Sequence, residues 1–192
     1  MYRLLLGLLT LLPGHLFACD RLNDISPDQV RRDSATLADP TASEIERILA
    51  FETLRCSQSA AIRDLAFRSA RASGLPPLQA QALFDRLSSK PLISIDLLSN
   101  DGLTEQHYDY LDASPTIVLK SAGAVDGQSC ISLSRPDECN TSYAITLVGT
   151  NMDFFENGLG TGTFQLDADG KLSGTVTLKK PELTFPAEIV LD

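Results

Sequence analysis

The sequence predicts an α+β protein: about three N-terminal helices packed on a C-terminal antiparallel β-sheet of about five to seven strands. Three observations carry this expectation. Apolar residues make up 43% of the 192-residue chain, enough to bury a core. Between residues 41 and 90 they recur at helical spacing, whereas from Pro91 onward they alternate with period two. Helical and strand patterns are therefore segregated along the chain, which is the mark of an α+β arrangement. No long linker separates the halves, so residues 41–192 are expected to form one compact domain.

Residues 1–18 read as an export signal. Met1-Tyr2-Arg3 is a short basic start, Leu4 to Leu12 is almost unbroken apolar sequence over nine residues, Pro13-Gly14 breaks it, and Ala18 precedes Cys19. A run of that length is too short for a bilayer that needs roughly 20 residues. The expected location is periplasmic or secreted. Leu16-Phe17-Ala18-Cys19 also resembles the site where bacterial lipoproteins are cut and acylated, departing from it at the bulky Phe17. That resemblance implies the alternative of a lipid anchor on Cys19. Residues 19–40 mix Asp, Arg and Ser with few apolar side chains and read as an extended arm, with at most one helical turn from Ser26-Pro27.

The first helix is expected after Asp39-Pro40, with Thr41 and Glu44 as a capping box and Ile45, Ile48, Leu49 and Phe51 at helical spacing. A second places Ile62, Leu65, Ala66 and Ala70 opposite Arg63, Asp64, Arg68 and Arg71, and ends at Gly74. The third starts at Pro76-Pro77, carries Leu78, Ala82, Leu83 and Leu87, and stops before Pro91. Strands are expected at residues 92–97, 116–119, 131–133, 143–148, 161–166, 172–178 and 188–191. The segments around Asp167-Ala168-Asp169-Gly170 form the clearest hairpin.

Four cysteines follow the leader, an even count that suggests two disulfides in an exported chain. Cys130 and Cys139 bracket a short stretch of turn formers and are expected to pair. Cys19 and Cys56 then pair, tying the arm to the first helix. A zinc site is not expected, because there is no Cys-x-x-Cys and only His107 remains beyond the leader.

The net charge is −9. Residues 19–90 hold ten basic and ten acidic side chains, while residues 91–192 hold five basic and fifteen acidic. Nucleic-acid binding needs a basic footprint, so that class is excluded. Trp is absent and aromatics are 6%, which disfavours stacked sugar or peptide sites. His107 is the lone candidate base, and no Gly-x-Ser-x-Gly elbow is present, so no catalytic residue is assigned. Gly158 to Gly162 lies between strands and opens no helix, so no nucleotide cofactor is expected. Asp167 to Gly170 reads as a turn and not a calcium loop, since no Glu follows before Glu182.

One segment stands out. Asp101, Glu105, Asp109 and Asp112 are spaced by four, four and three, with Tyr108, Tyr110 and Leu111 between them. On a helix the acids form a stripe that suits a basic protein partner, with Tyr108 as an anchor. The expected function is thus an exported noncatalytic binding protein: an inhibitor, an immunity-type antagonist or an envelope accessory factor. The alternative is a small extracytoplasmic hydrolase using carboxylates of the β region, which would need a concave pocket with two carboxylates of unequal pKa.

Overall fold

A computed structural model describes Cys19 and residues 25–125, 128–167 and 170–191; the expected leader lies outside the described residues. Four helices come first: α1 Pro27–Ala38, α2 Glu44–Arg55, α3 Ala60–Arg71 and α4 Pro76–Ser88. Strand β1 Leu92–Leu97 leads through helix α5 Glu105–Ala113 to β2 Thr116–Lys120. The strands β3 Gly123–Ala124, β4 Cys130–Ser132, β5 Tyr143–Val148, β6 Asn151–Glu156, β7 Gly160–Leu166, β8 Leu172–Leu178 and β9 Thr184–Ile189 follow. All nine strands join one antiparallel sheet in the order β2-β1-β9-β8-β7-β6-β5-β4-β3.

The α+β class stands, with more elements than the sequence suggested. The stretch read as an extended arm contains α1. Ser26 accepts the Gln29 N–H at its N-terminus, and Pro27 supplies the first helical residue. Leu37 is its one buried side chain, so α1 carries too thin an apolar stripe to register as a helix by periodicity. The capping box of α2 is Ser43 with Glu46, not Thr41 with Glu44: the Ser43 N–H donates to Glu46 at 2.9 Å and the Glu46 N–H to Ser43 Oγ at 3.3 Å. Thr41 instead donates both its N–H and its hydroxyl to Asp39, which holds the Asp39 carboxyl below its usual pKa.

The face of α2 is also rotated from expectation. Arg47, Ala50, Phe51 and Leu54 are buried, while Ile45 and Leu49 are 71% and 59% exposed. Arg47 is the reason. Its Nε donates to Leu37 O at 3.2 Å and its Nη2 to Ser73 O at 2.8 Å, so one guanidinium serves carbonyls at the end of α1 and just beyond α3.

Ile93, Ile95, Leu119, Ile145, Met152, Phe154, Val176, Phe185 and Ile189 from the sheet join Phe51, Leu54, Phe67, Leu78 and Leu83 from the helices in one core. The other sheet face is polar and rich in hydroxyls, with Thr163 beside Thr175 and Thr177 beside Thr184 at 3.5 and 2.9 Å. Strand β6 was missed because Asn151 to Glu156 holds three polar residues and a short alternation. Strand β9 begins before its expected start because Pro186 obscures it; Pro sits on the polar face, opposite Thr175. Gly162 has a role on the core face, where a Cβ would stand 2.2 Å from the Phe154 ring, so glycine is what lets Phe154 and Phe164 stack at 6.3 Å.

Two disulfides close the described chain. Cys130 bonds Cys139 between β4 and β5, and Cys19 bonds Cys56 at the end of α2, as the spacing suggested. A sulfur in that second bond cannot at once carry a lipid thioether. The bridges fit an oxidising, extracytoplasmic compartment. Among the described residues no helix is long and apolar enough to cross a membrane.

Candidate functional site

Helix α5 is built from the loop upward. Asn100 Oδ1 accepts the Gly102 N–H at 3.0 Å, turning the chain after β1. Thr104 is the N-cap, and the His107 ring reaches back to it: Nδ1 lies 3.3 Å from the Thr104 N–H and 2.7 Å from Oγ1. Nδ1 accepts the backbone proton, so the neutral ring carries its own proton on Nε2. The ring edge packs 5.0 Å from Phe185, and Tyr110 lies 5.6 Å from the same ring. His107, Tyr110 and Leu111 thus form the docked face of the helix, and His107 acts as a cap and packing residue in a half-buried setting.

The opposite face carries the predicted residues. Glu105, Asp109 and Asp112 are exposed at spacings of four and three, one stripe of the helix. Tyr108 lies beside them, 45% exposed, and its hydroxyl donates to Asn100 O at 3.1 Å. That bond fixes the ring against the loop, with part of its face open. Asp101 is exposed but precedes the helix, so the stripe has three acids on α5 and one in the turn before it.

The charges of α5 are of two kinds: Glu105 in the first turn is favoured by the helix dipole, and the other placements are not. Glu105 and Asp109 are like charges one turn apart, and Asp112 sits at the helix C-terminus, where the backbone dipole favours cations. Such placements cost a few tenths of a kcal/mol each, and Glu105 at the N-terminus offsets about one of them. No Lys or Arg occurs from Pro91 to Leu119. Among the described residues none of Asp101, Glu105, Asp109 or Asp112 has a cation within ion-pair distance.

The sequence reading missed a second concentration of charge. A cleft of about 420 Å³ lies between α2, α3 and α4, lined by Phe51 and Arg55, by Ala60, Arg63, Asp64 and Phe67, and by Ala82, Asp85, Arg86 and Ser89. Arg55 pairs with Glu52 at 2.7 Å and Asp85 at 3.2 Å, and Arg86 pairs with Asp64 at 2.7 Å. The Asp85 carboxyl is raised to about 6, chiefly because burial disfavours its charge, and against the pull of Arg55. The raised carboxyl thus belongs to the helical half, whereas the hydrolase alternative calls on carboxylates of the β region. The signal was present in the spacing. Residues 60, 63, 64, 67 and 82, 85, 86, 89 each mark one stripe, and each stripe carries an arginine, an aspartate and an alanine; one ion pair, Arg86 with Asp64, joins the two stripes.

Among the described residues no three His, Cys, Asp or Glu side chains are grouped to hold a metal ion. No known protein family, curated protein or solved structure matches this chain.

Proposed function

We propose that this chain is an exported noncatalytic binding protein that presents the acidic face of α5 to a basic partner protein. The observation that carries the reading is the set of unpaired carboxylates on α5, held outward at a cost to the helix and backed by a face firmly seated on Phe185. Asp109 and Asp112 run against the local rules for a helix, and such placements point to a use elsewhere. The rigid backing matters, because a surface already ordered loses less entropy on binding. Long-range attraction brings the partner in, and Tyr108 supplies a flat, partly open ring with little freedom left to lose. Occlusion of the partner's basic surface would make the protein an inhibitor, an immunity-type antagonist or an envelope accessory factor.

The test uses the mature protein as bait in envelope extracts, beside a Glu105→Gln, Asp109→Asn, Asp112→Asn variant. A basic partner is expected on the wild type, lost from the variant and released as the salt rises from about 0.1 to 1 M, where the screening length shrinks from about 10 to 3 Å. Capture that ignores both charge and salt overturns the reading. So does an absence of partners together with turnover of a hydrolase substrate.

A further inference from the structure

We propose that the cleft between α2, α3 and α4 is a binding site for a small organic monocarboxylate with an aromatic or branched apolar body. The site shares no residue with the acidic face of α5, so it stands or falls independently of the function proposed above.

The sign of the ligand follows from the walls. Three guanidinium groups, Arg55, Arg63 and Arg86, face two carboxylates in the lining, Asp64 and Asp85, and Arg55 is shared with a third, Glu52, so the sign rests on Arg63. Both carboxylates are engaged by arginines, Asp85 by Arg55 and Asp64 by Arg86. Neither is left to attract a cation. Arg63 is different. Its Nη1 donates to the carbonyls of Ser57 and Gln58, both at 2.8 Å, and among the described residues it has no carboxylate partner. Those two bonds fix the guanidinium while its Nε and Nη2 groups make no protein hydrogen bond among the described residues. Nε and Nη2 form the edge of a guanidinium that pairs side-on with a carboxylate through two parallel bonds. Arg63 is itself exposed, so the result is a preorganised anion receptor at the solvent-facing rim of the cavity.

The shape and lining set the rest of the ligand. A volume of about 420 Å³ lies in the range of small-molecule sites. Phe51 and Phe67 supply apolar surface, and the Arg86 guanidinium stands 5.3 Å over the Phe67 ring, holding that ring in place. The space exists because Ala82 occupies a buried position where a larger side chain would close the contact between helices, while the exposed Ala60 at the start of α3 leaves the mouth open. Ala82 is only 1% exposed, so its methyl forms the floor. An apolar body seated on that floor with its carboxylate on Arg63 uses each feature of the cleft. Inorganic phosphate lacks the apolar body and uses only one of them.

The experiment titrates the intact, oxidised protein with benzoate, benzamide and inorganic phosphate, followed by amide chemical shifts and calorimetry. Benzoate is expected to saturate, with the largest shifts in residues 55–67 and 82–89. Benzamide and phosphate should bind at least about tenfold more weakly, the loss typical of one charge-assisted pair or of a buried ring. Arg63→Gln should weaken benzoate by about tenfold and leave benzamide unchanged. Ala82→Leu should abolish benzoate binding by filling the floor, and Ser89→Trp, at the exposed rim, should block access without touching the core should the leucine variant fail to fold. Absence of saturation by benzoate up to about 10 mM overturns the site. So does equal affinity for benzoate and benzamide, or an Arg63→Gln variant that binds benzoate as the wild type does.

Discussion

Removing the two disulfides one at a time gives a direct measure of what holds this fold together. Cys19–Cys56 closes a segment with a sequence separation of 37, and Cys130–Cys139 one of 9. Loop-closure entropy makes the longer bridge worth about 3.9 kcal/mol and the shorter about 2.7 kcal/mol at 25 °C. Either is a large share of the total stability of a domain, ordinarily about 5–15 kcal/mol. Alanine is the right replacement, because Cys130 is 2% exposed and a serine there would bury an unpaired hydroxyl. Urea unfolding of the oxidised wild type, Cys19→Ala with Cys56→Ala, and Cys130→Ala with Cys139→Ala compares the three. The first variant should lose about 1 kcal/mol more than the second. It should also melt about 8–16 °C below the wild type, at 2–4 °C per kcal/mol for a chain of this size. If the short-loop variant is the weaker of the two, loop entropy does not govern these bridges. Four titratable thiols in the unreduced protein would remove them from the native state altogether.

The Asp85 carboxyl, raised from 3.8 to about 6 chiefly by burial, contributes stability that is fully present below pH 3.8 and lost as the pH rises through about 6. Asp85→Asn should therefore gain on the wild type between pH 4 and 7, by at most about 3 kcal/mol at 1.36 kcal/mol per unit, while Arg55 keeps Glu52; equal urea midpoint differences at pH 4, 5.5 and 7 would contradict this. Arg47→Ala should cost about 2–4 kcal/mol by stranding the Leu37 and Ser73 carbonyls, and Arg47→Lys should recover little, because an ammonium cannot span both directions; chemical unfolding checks both. Phe185→Ala should cost about 3–5 kcal/mol and loosen α5, seen as loss of the ring-current shift on His107 and faster proteolysis between Leu98 and Pro115; an unchanged His107 spectrum would refute that seating.

Much of the architecture was legible in one dimension because its causes are local. Alternation sets a strand's two faces within the strand itself, so residues 92–97, 143–148 and 172–178 appear with the bounds expected of them. The cysteine pairing followed from loop lengths and parity, which are also properties of the chain order. Helix α1 and strand β6 were hidden because each leans on neighbours more than on its own apolar pattern. The acidic stripe was visible as spacing, but the helix that makes it a stripe, and the position of Asp101 outside that helix, depend on where Thr104 caps α5.

The charge asymmetry, the α+β segregation and the two bridges were determined by the order of residues alone, since charge counts, hydrophobic period and loop length need no coordinates. The docking of His107 and Tyr110 on Phe185, the turn of α2 that buries Arg47, and the cleft around Arg63 were decided only in the tertiary structure. Each joins side chains tens of residues apart, and burial and packing arise from all neighbours at once. A guanidinium reads as surface charge in a sequence; it becomes a strut or a receptor only when distant carbonyls have been brought within hydrogen-bond reach.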